Sequence, residues 1–482
     1  MGSLSAAAGE WQSVEQIAED VRTGKVTAVE LVERALGVID SKKEYGAIIA
    51  TTAERARERA ASIDAMVKNG QPVGRLAGVP YIAKDNYLMF GAETTAASNM
   101  LRGFVAPYQA TVIERLEAEG AVCVAKANLD AFAHGASTEN SDFMITLNPH
   151  DKTRVAGGSS GGSAASVVLG MVPFALGSET GGSIRLPASF TGCVGYKPTY
   201  GLTSRHGVVA MASSTDTLAP LTKTVDDLAL VFDVMAGCDP LDGTTIERDP
   251  DGYANATTSL NGKKVGVIKE YMTEGVAPGV KQAIQAAIDK MKAAGADVQE
   301  VSLPSLSLAL AVYYIIVPAE VSSNLSRHDG QRYQFSYQGA KDLDESYMKS
   351  RGIGFGKEAK RRIMIGTHVL SSGYYDAYYR QAQTVRTKII NEFDDVFTDF
   401  DFLVGPVAPT TAFKVGENAD DPLKMYLADI MTVAANLVGV PAISVPVGVD
   451  ENDLPVGLQI MAAQRADRAL LGVAKHIEEL LR

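Results

Sequence analysis

Two observations predict an α/β fold for this sequence of 482 residues. Short apolar runs alternate with helical patterns along most of the chain, and 46% hydrophobic against 21% charged residues gives enough apolar surface for a sizeable core. Strands separated by helices need crossover connections, so the expected core is a large, mixed, mostly parallel sheet with helices on both faces. Residues 1–70 read as helical. Val14-Glu-Gln-Ile-Ala-Glu-Asp-Val and Thr27-Ala-Val-Glu-Leu-Val-Glu-Arg-Ala-Leu carry apolar residues at helical spacing, with Thr27 as a cap, and a third helix over 54–69 ends at Gly70. Strands follow at 79–83 and 121–125 around a helix at 110–119. Further strands are expected at 265–268, 402–405, 442–448 and 457–461, with helices at 280–293 and near 468–481. There is no internal repeat. The polar stretch 238–258 reads as a long surface connection rather than a boundary, so the whole chain, 1–482, is expected to form one domain: an N-terminal helical segment (1–70) packed on an α/β core (71–482).

Composition excludes several classes. The net charge is −12, from 45 basic and 57 acidic residues, which argues against a basic groove that grips nucleic acid directly; any RNA would be carried by another chain. Cys123, Cys193 and Cys238 form neither a disulfide framework nor a zinc-binding pattern, and with no leader-like start this suggests a cytoplasmic protein. The most apolar stretch, 306–317, is interrupted by Pro318 and falls short of the ~20 residues a membrane helix needs, so it reads as a buried helix.

The informative region is 155–198, where Gly157-Gly-Ser-Ser-Gly-Gly-Ser163 precedes Gly177-Ser-Glu-Thr-Gly-Gly-Ser-Ile-Arg185. Such density means sharp turns or close backbone approach, and two loops packed on the sheet would satisfy it. A P-loop would need GxxxxGK[ST] and a dinucleotide site GxGxxG; neither spacing is present. Gly157-Gly-Ser159-Ser-Gly161 does match the GxSxG nucleophile elbow, but a polar turn precedes it instead of a strand. The second cluster suits a nucleophile better. An apolar strand at 172–177 leads into Thr180-Gly181-Gly182-Ser183, whose consecutive N–H groups are free to converge as an oxyanion hole beside a nucleophilic Ser183. A serine needs a base. His134, His150, His206, His328, His368 and His476 are scattered outside any catalytic frame. Lys84 ends the apolar run 79–83, where a lysine is costly without a role. Asp85 points to the opposite face of an extended chain, so it need not hold the Lys84 ammonium charged. At a pKa of ~10.4, very little lysine is neutral at pH 7, so the site must depress that value by several units.

Lys84, the Gly157–Gly162 run and the Thr180–Arg185 segment together resemble the amidase signature family, and the 24-residue separation of Ser159 and Ser183 fits it as well. The resemblance implies an α/β amidase that cleaves acyl C–N bonds without metal or cofactor. It implies that Ser183 is the nucleophile, that Ser159, after a cis peptide, is the relay, and that Lys84 is the ultimate base. Thr180, Gly181, Gly182 and Ser183 supply the oxyanion hole. Within the family, the pattern is most similar to the GatA branch of glutaminase subunits. The likeness rests on Leu218-Ala-Pro-Leu-Thr-Lys-Thr-Val-Asp-Asp, Gly354-Phe-Gly-Lys-Glu-Ala-Lys-Arg-Arg, Ser372-Gly-Tyr-Tyr-Asp-Ala-Tyr-Tyr and Asn452-Asp-Leu-Pro-Val-Gly-Leu-Gln. That branch implies glutamine recognition by Tyr313, Arg362 and Asp429, and GatB/GatC-type partner subunits. Departures sit at Tyr87-Leu-Met-Phe, at Phe143 and Met144, at Leu186, and at Asp216-Thr217-Leu218. They add apolar bulk around the expected acyl site. The alternative is therefore a stand-alone amidase for larger apolar amides or carbamates, of the aryl-amidase or urethanase kind. A non-catalytic assembly subunit is a further alternative, against which the intact Lys84, Ser159 and Ser183 speak.

Overall fold

The computed structural model describes residues 10–333 and 335–481; the N-terminal stretch 1–9, read above as unlike a leader, lies outside them. One sheet is built from β1 (Ile48–Thr51), β2 (Pro80–Lys84), β3 (Val122–Ala127), β4 (Phe174–Glu179), β5 (Val194–Lys197), β6 (Thr217–Thr222), β7 (Lys264–Ile268), β8 (Asp297–Val301), β9 (Phe402–Pro406), β10 (Ala442–Val449) and β11 (Pro455–Met461). Across the sheet the order is β1-β3-β2-β4-β6-β5-β10-β11-β9-β7-β8. Every residue of β2, β3, β4, β5, β6, β9 and β11 is buried, which is why these strands read as apolar runs rather than alternating ones.

The α/β class and the mixed sheet are as expected, but the sheet is not mostly parallel. Strand pairs β2–β3, β2–β4, β7–β8 and β7–β9 are parallel, and the other six neighbour pairs are antiparallel. A strand buried on both faces shows the same apolar run in either direction, so periodicity cannot report its sense. The parallel blocks flank an antiparallel centre that contains the tight β10–β11 hairpin.

The N-terminal helices Val14–Arg22, Ala28–Ser41 and Ala53–Lys68 form where expected. Thr27 closes a capping box: its hydroxyl accepts from the Glu30 N–H at 3.1 Å while the Glu30 carboxylate accepts from the Thr27 N–H at 2.8 Å. The segment is not purely helical, because β1 pairs antiparallel with the edge of β3; four residues are too few to show a period. Pro318 does not interrupt its helix either. Leu306–Asn324 runs through it, with Ile316, Val317, Pro318 and Ala319 all buried. Packing compensates for the missing N–H. Gly366, on the helix Lys357–Leu370, lies against the Pro318 carbonyl so closely that any Cβ there would collide with it. Leu306–Arg327 is also long and apolar enough to cross a membrane by composition, yet half of its most apolar window is buried inside the protein. One buried apolar cluster spans both segments, from Val14 to Ile477.

Candidate active site

Lys84 is the last residue of β2 and is fully buried. Its Nζ lies 2.8 Å from Ser159 Oγ, 2.8 Å from Ser160 Oγ and 3.2 Å from the Ser178 carbonyl oxygen. None of these partners carries a charge. Burial therefore pulls the amine down to about 7, against the weaker opposing pull of Asp130, Asp216 and Glu179. Asp85 faces the other way, as the alternation of an extended chain requires, and stands 2.9 Å from the amine of Lys126 on β3.

Both serines beside Lys84 come from the loop that opens the helix Gly161–Val168. The peptide bond Gly158–Ser159 is cis. The carboxylate of Asp130 fills the space a Cβ on Gly158 would need, so glycine is required at that position. Asp130 is fully buried and accepts from the N–H groups of Thr138 at 2.9 Å and Asn140 at 3.1 Å; burial lifts its carboxyl to about 6. The N–H of Ser160 donates to the Ser183 carbonyl at 3.0 Å, which ties the first Gly/Ser loop to the second. No strand runs directly into Ser159, so the nucleophile-elbow geometry is absent.

The second loop leaves the end of β4. Glu179 anchors its far side: it accepts from the N–H groups of Ile184 and Arg185 at 3.0 Å each, and pairs with the Arg185 side chain. Between these fixed points, the N–H groups of Thr180, Gly181, Gly182 and Ser183 donate to no acceptor among the described residues. Ser183 keeps 8% of its surface accessible. The Thr180 hydroxyl donates to Asp216 at 2.6 Å, and the other Asp216 oxygen accepts from the N–H groups of Met211 and Ala212 at 2.9 and 3.1 Å. Gly182 has φ +150°, and a Cβ there would strike Thr432 and stand 3.1 Å from an Asp429 carboxylate oxygen. A Cβ on Gly181 would meet the Tyr313 ring at 2.5 Å.

Tyr313 and Asp429 thus flank the same two glycines from separate elements, and Arg362 is within electrostatic reach of both. Arg362 is buried; its Nε donates to Glu358 at 2.9 Å, and its guanidinium lies 5.4 Å from the Tyr314 ring centre and 5.8 Å from that of Tyr426. Beside it is a cavity of about 150 Å³ lined by Ser137, Asn140, Tyr314, Glu358 and Tyr426. The Asp429 carboxylate receives no hydrogen bond among the described residues, and burial pushes it up to about 8 against the pull of Arg362. The three apolar candidates do not line this cavity. Phe143 rests under the Arg102 guanidinium at 4.7 Å, and the Met144 side chain lies toward Gly46; neither lines the cavity. Leu186 is buried in a small apolar cluster with Ala136, Phe190 and Phe413.

The sequence reading missed Ser160, Asp130 and the Glu179–Arg185 pair, and it noted Asp216 only as a departure in pattern, not as the acceptor for Thr180, Met211 and Ala212. Ser160 was visible as the neighbour of Ser159. The two aspartates sit in polar turns that carry no pattern of their own. Of the histidines, His134 is fully buried with neither ring nitrogen hydrogen-bonded among the described residues.

The family described as Amidase matches residues 30–471. The chain belongs to the amidase family. This amidase, an amidohydrolase acting on C–N bonds, is 50% identical over 454 residues to a protein of Symbiobacterium thermophilum named as the A subunit of glutamyl-tRNA(Gln) amidotransferase, covering 94% of this chain and 93% of that one. It is 49% identical over 469 residues to a protein of the same name from Caldanaerobacter subterraneus, covering 97% and 96%. Among solved structures it is similar to the protein of that name from Thermotoga maritima, at 39% identity and TM-score 0.81 over 99% of this chain and 96% of that one. It is also similar to a bacterial aryl acylamidase, at 25% identity and TM-score 0.86 over 98% and 97%.

Proposed function

We propose that this amidase is the glutaminase subunit of a tRNA-dependent amidotransferase, a single-domain chain that releases ammonia from glutamine for a partner to use. In this reading the neutral form of Lys84, which builds up as pH rises through about 7, takes the proton of Ser159, and Ser159 takes the proton of Ser183 as the Ser183 oxygen attacks the amide carbon. The N–H groups of 180–183 receive the developing oxyanion. Collapse of the tetrahedral intermediate breaks the C–N bond. The proton held on Lys84 passes back through Ser159 to the leaving nitrogen, and water resolves the acyl-enzyme by the same relay.

The observation that carries the choice of substrate is the meeting of Tyr313 and Asp429 at Gly181–Gly182, with the Arg362 charge acting on both from beside Glu358 and Tyr314. A guanidinium suits an α-carboxylate, and the Asp429 carboxyl, with no hydrogen-bond donor of its own, suits an α-ammonium, whose charge beside it favours loss of its proton. Bound together they fix an amino acid so that its side-chain amide reaches the free N–H groups. The relatives named for the amidotransferase support GatB/GatC-type partners, and the net charge of −12 suits a cytoplasmic chain that leaves tRNA to them.

The test is to assay the purified chain, alone and co-purified with such partners, on glutamine and on an aryl amide. Glutamine turnover that disappears in Ser183→Ala is expected. Rapid aryl-amide hydrolysis with glutamine ignored in both preparations would favour the stand-alone amidase.

A further inference from the structure

Three atoms around the Lys84 amine fix which way its hydrogens point. A neutral amine has two N–H donors and one lone pair. The Ser178 carbonyl, 3.2 Å away, is an acceptor only. Ser160 Oγ also lies 3.2 Å from that carbonyl and has one hydrogen, which goes to it, so toward Lys84 the hydroxyl is an acceptor at 2.8 Å. Both amine hydrogens are then committed. The single lone pair is left for Ser159 Oγ, also at 2.8 Å, whose hydrogen it receives.

We infer that Ser160 is a positioning residue for the amidase reaction: together with the Ser178 carbonyl it holds the neutral Lys84 amine with its lone pair aimed at Ser159. In the ammonium form all three hydrogens have acceptors, Ser159 Oγ among them, and the Ser159 hydrogen must turn away. Loss of one proton therefore reverses the sense of the Lys84–Ser159 bond alone and leaves the other two unchanged. The Ser160 backbone serves the same alignment, because its N–H holds the Ser183 carbonyl at 3.0 Å. The inference rests on the Lys84–Ser159–Ser183 reading above.

The charged groups acting on Lys84 are Asp130 on the loop after β3, Asp216 before β6 and Glu179 on β4, all of which favour the ammonium. Ser160 adds an acceptor to the same side. Ser160→Ala should therefore lower the plateau rate at least about tenfold and move the midpoint of the pH–rate profile down by about half a unit, since both forms lose the bond to Ser160 but the charge-assisted one lost by the ammonium is the stronger. Ser160→Thr and Ser160→Val have matching bulk and differ in the hydroxyl; the Thr variant should keep the wild-type midpoint and the Val variant should not, even if both lose stability. The readout is the pH dependence of amide turnover, paired with the rate of Ser183 labelling by a fluorophosphonate. A Ser160→Ala plateau within twofold of wild type, equal midpoints for Thr and Val, or an upward shift would overturn the inference. With Lys84→Met and Ser183→Ala inactive, such a result leaves the triad reading standing. If those two variants retain turnover, the triad reading itself fails.

Discussion

Lys84 and Lys126 lie on neighbouring strands, and both amines are sealed from solvent. Lys126 faces Asp85 at 2.9 Å, the Tyr87 carbonyl at 2.8 Å and the Thr94 hydroxyl at 3.1 Å. Lys84 faces two hydroxyls and a carbonyl, with no carboxylate within ion-pair distance among the described residues. Burial is common to the two; the counter-charge is not. A buried amine with a carboxylate beside it forms an ion pair that braces the sheet. One given only neutral acceptors is released to near-neutral pH, where it can serve as the proposed base. The alternation of β2 performs the separation, because Asp85 follows Lys84 by one residue and so faces away from it.

The sharpest way to break the comparison is to remove each amine in turn. Lys84→Met should lower amide turnover by about 10⁴-fold or more, as Ser183→Ala should, because members of a relay fail together. Steady-state rates measure this, and a loss under tenfold would deny Lys84 its role. Lys126→Met should instead cost about 3–5 kcal/mol of stability by leaving Asp85 buried and unpaired. Urea unfolding checks it, and the double variant with Asp85→Leu should recover much of the loss.

Turnover of the wild-type chain should rise with pH through about 7 and then level off, falling about tenfold from the plateau by pH 6. A flat profile from pH 5 to 10, with chemistry limiting, contradicts a lysine base. Arg362→Lys should raise KM for glutamine about tenfold with a smaller change in kcat, since a point charge cannot grip a carboxylate bidentately.

The smallest effect concerns stability. The folded Lys84 titrates near 7 and the unfolded one near 10.5, so between these values the unfolded chain binds the extra proton. Stability from this group therefore rises as pH climbs from 7 to 10.5, and its cost is fully present below 7. Lys84→Met should add about 1 kcal/mol at pH 7, opposite in sign to Lys126→Met. Thermal unfolding of the two variants side by side would show it.

Much of this was legible in the sequence because glycine spacing and apolar runs report backbone demands directly. Lys84 and the 180–183 turn were singled out that way, as were β2, β3 and β4, whereas the role given to Ser159 came from the family resemblance. Strand direction was not, because β5, β6, β10 and β11 are apolar whichever way they run. β1 was too short to show a period, and Pro318 was judged by its missing N–H without the neighbour that compensates for it. The roles of Asp130 and Asp216 escaped because their importance lies in which N–H groups they receive, a property of folded loops rather than of any pattern. Phe143 and Met144 showed the reverse error: bulk near a motif in sequence need not be bulk near it in space.

The close crossing at Gly366 and Pro318 bears on the proposed amino-acid recognition. Tyr313 belongs to one of these helices and Arg362 to the other, so the gap between an aromatic hydroxyl and a guanidinium is set by how near two backbones come, one turn further along. A methyl group at residue 366 would strike the Pro318 carbonyl and force the two helices apart, and if Tyr313 and Arg362 hold the substrate as proposed, the length of amino acid that fits between them would change with it.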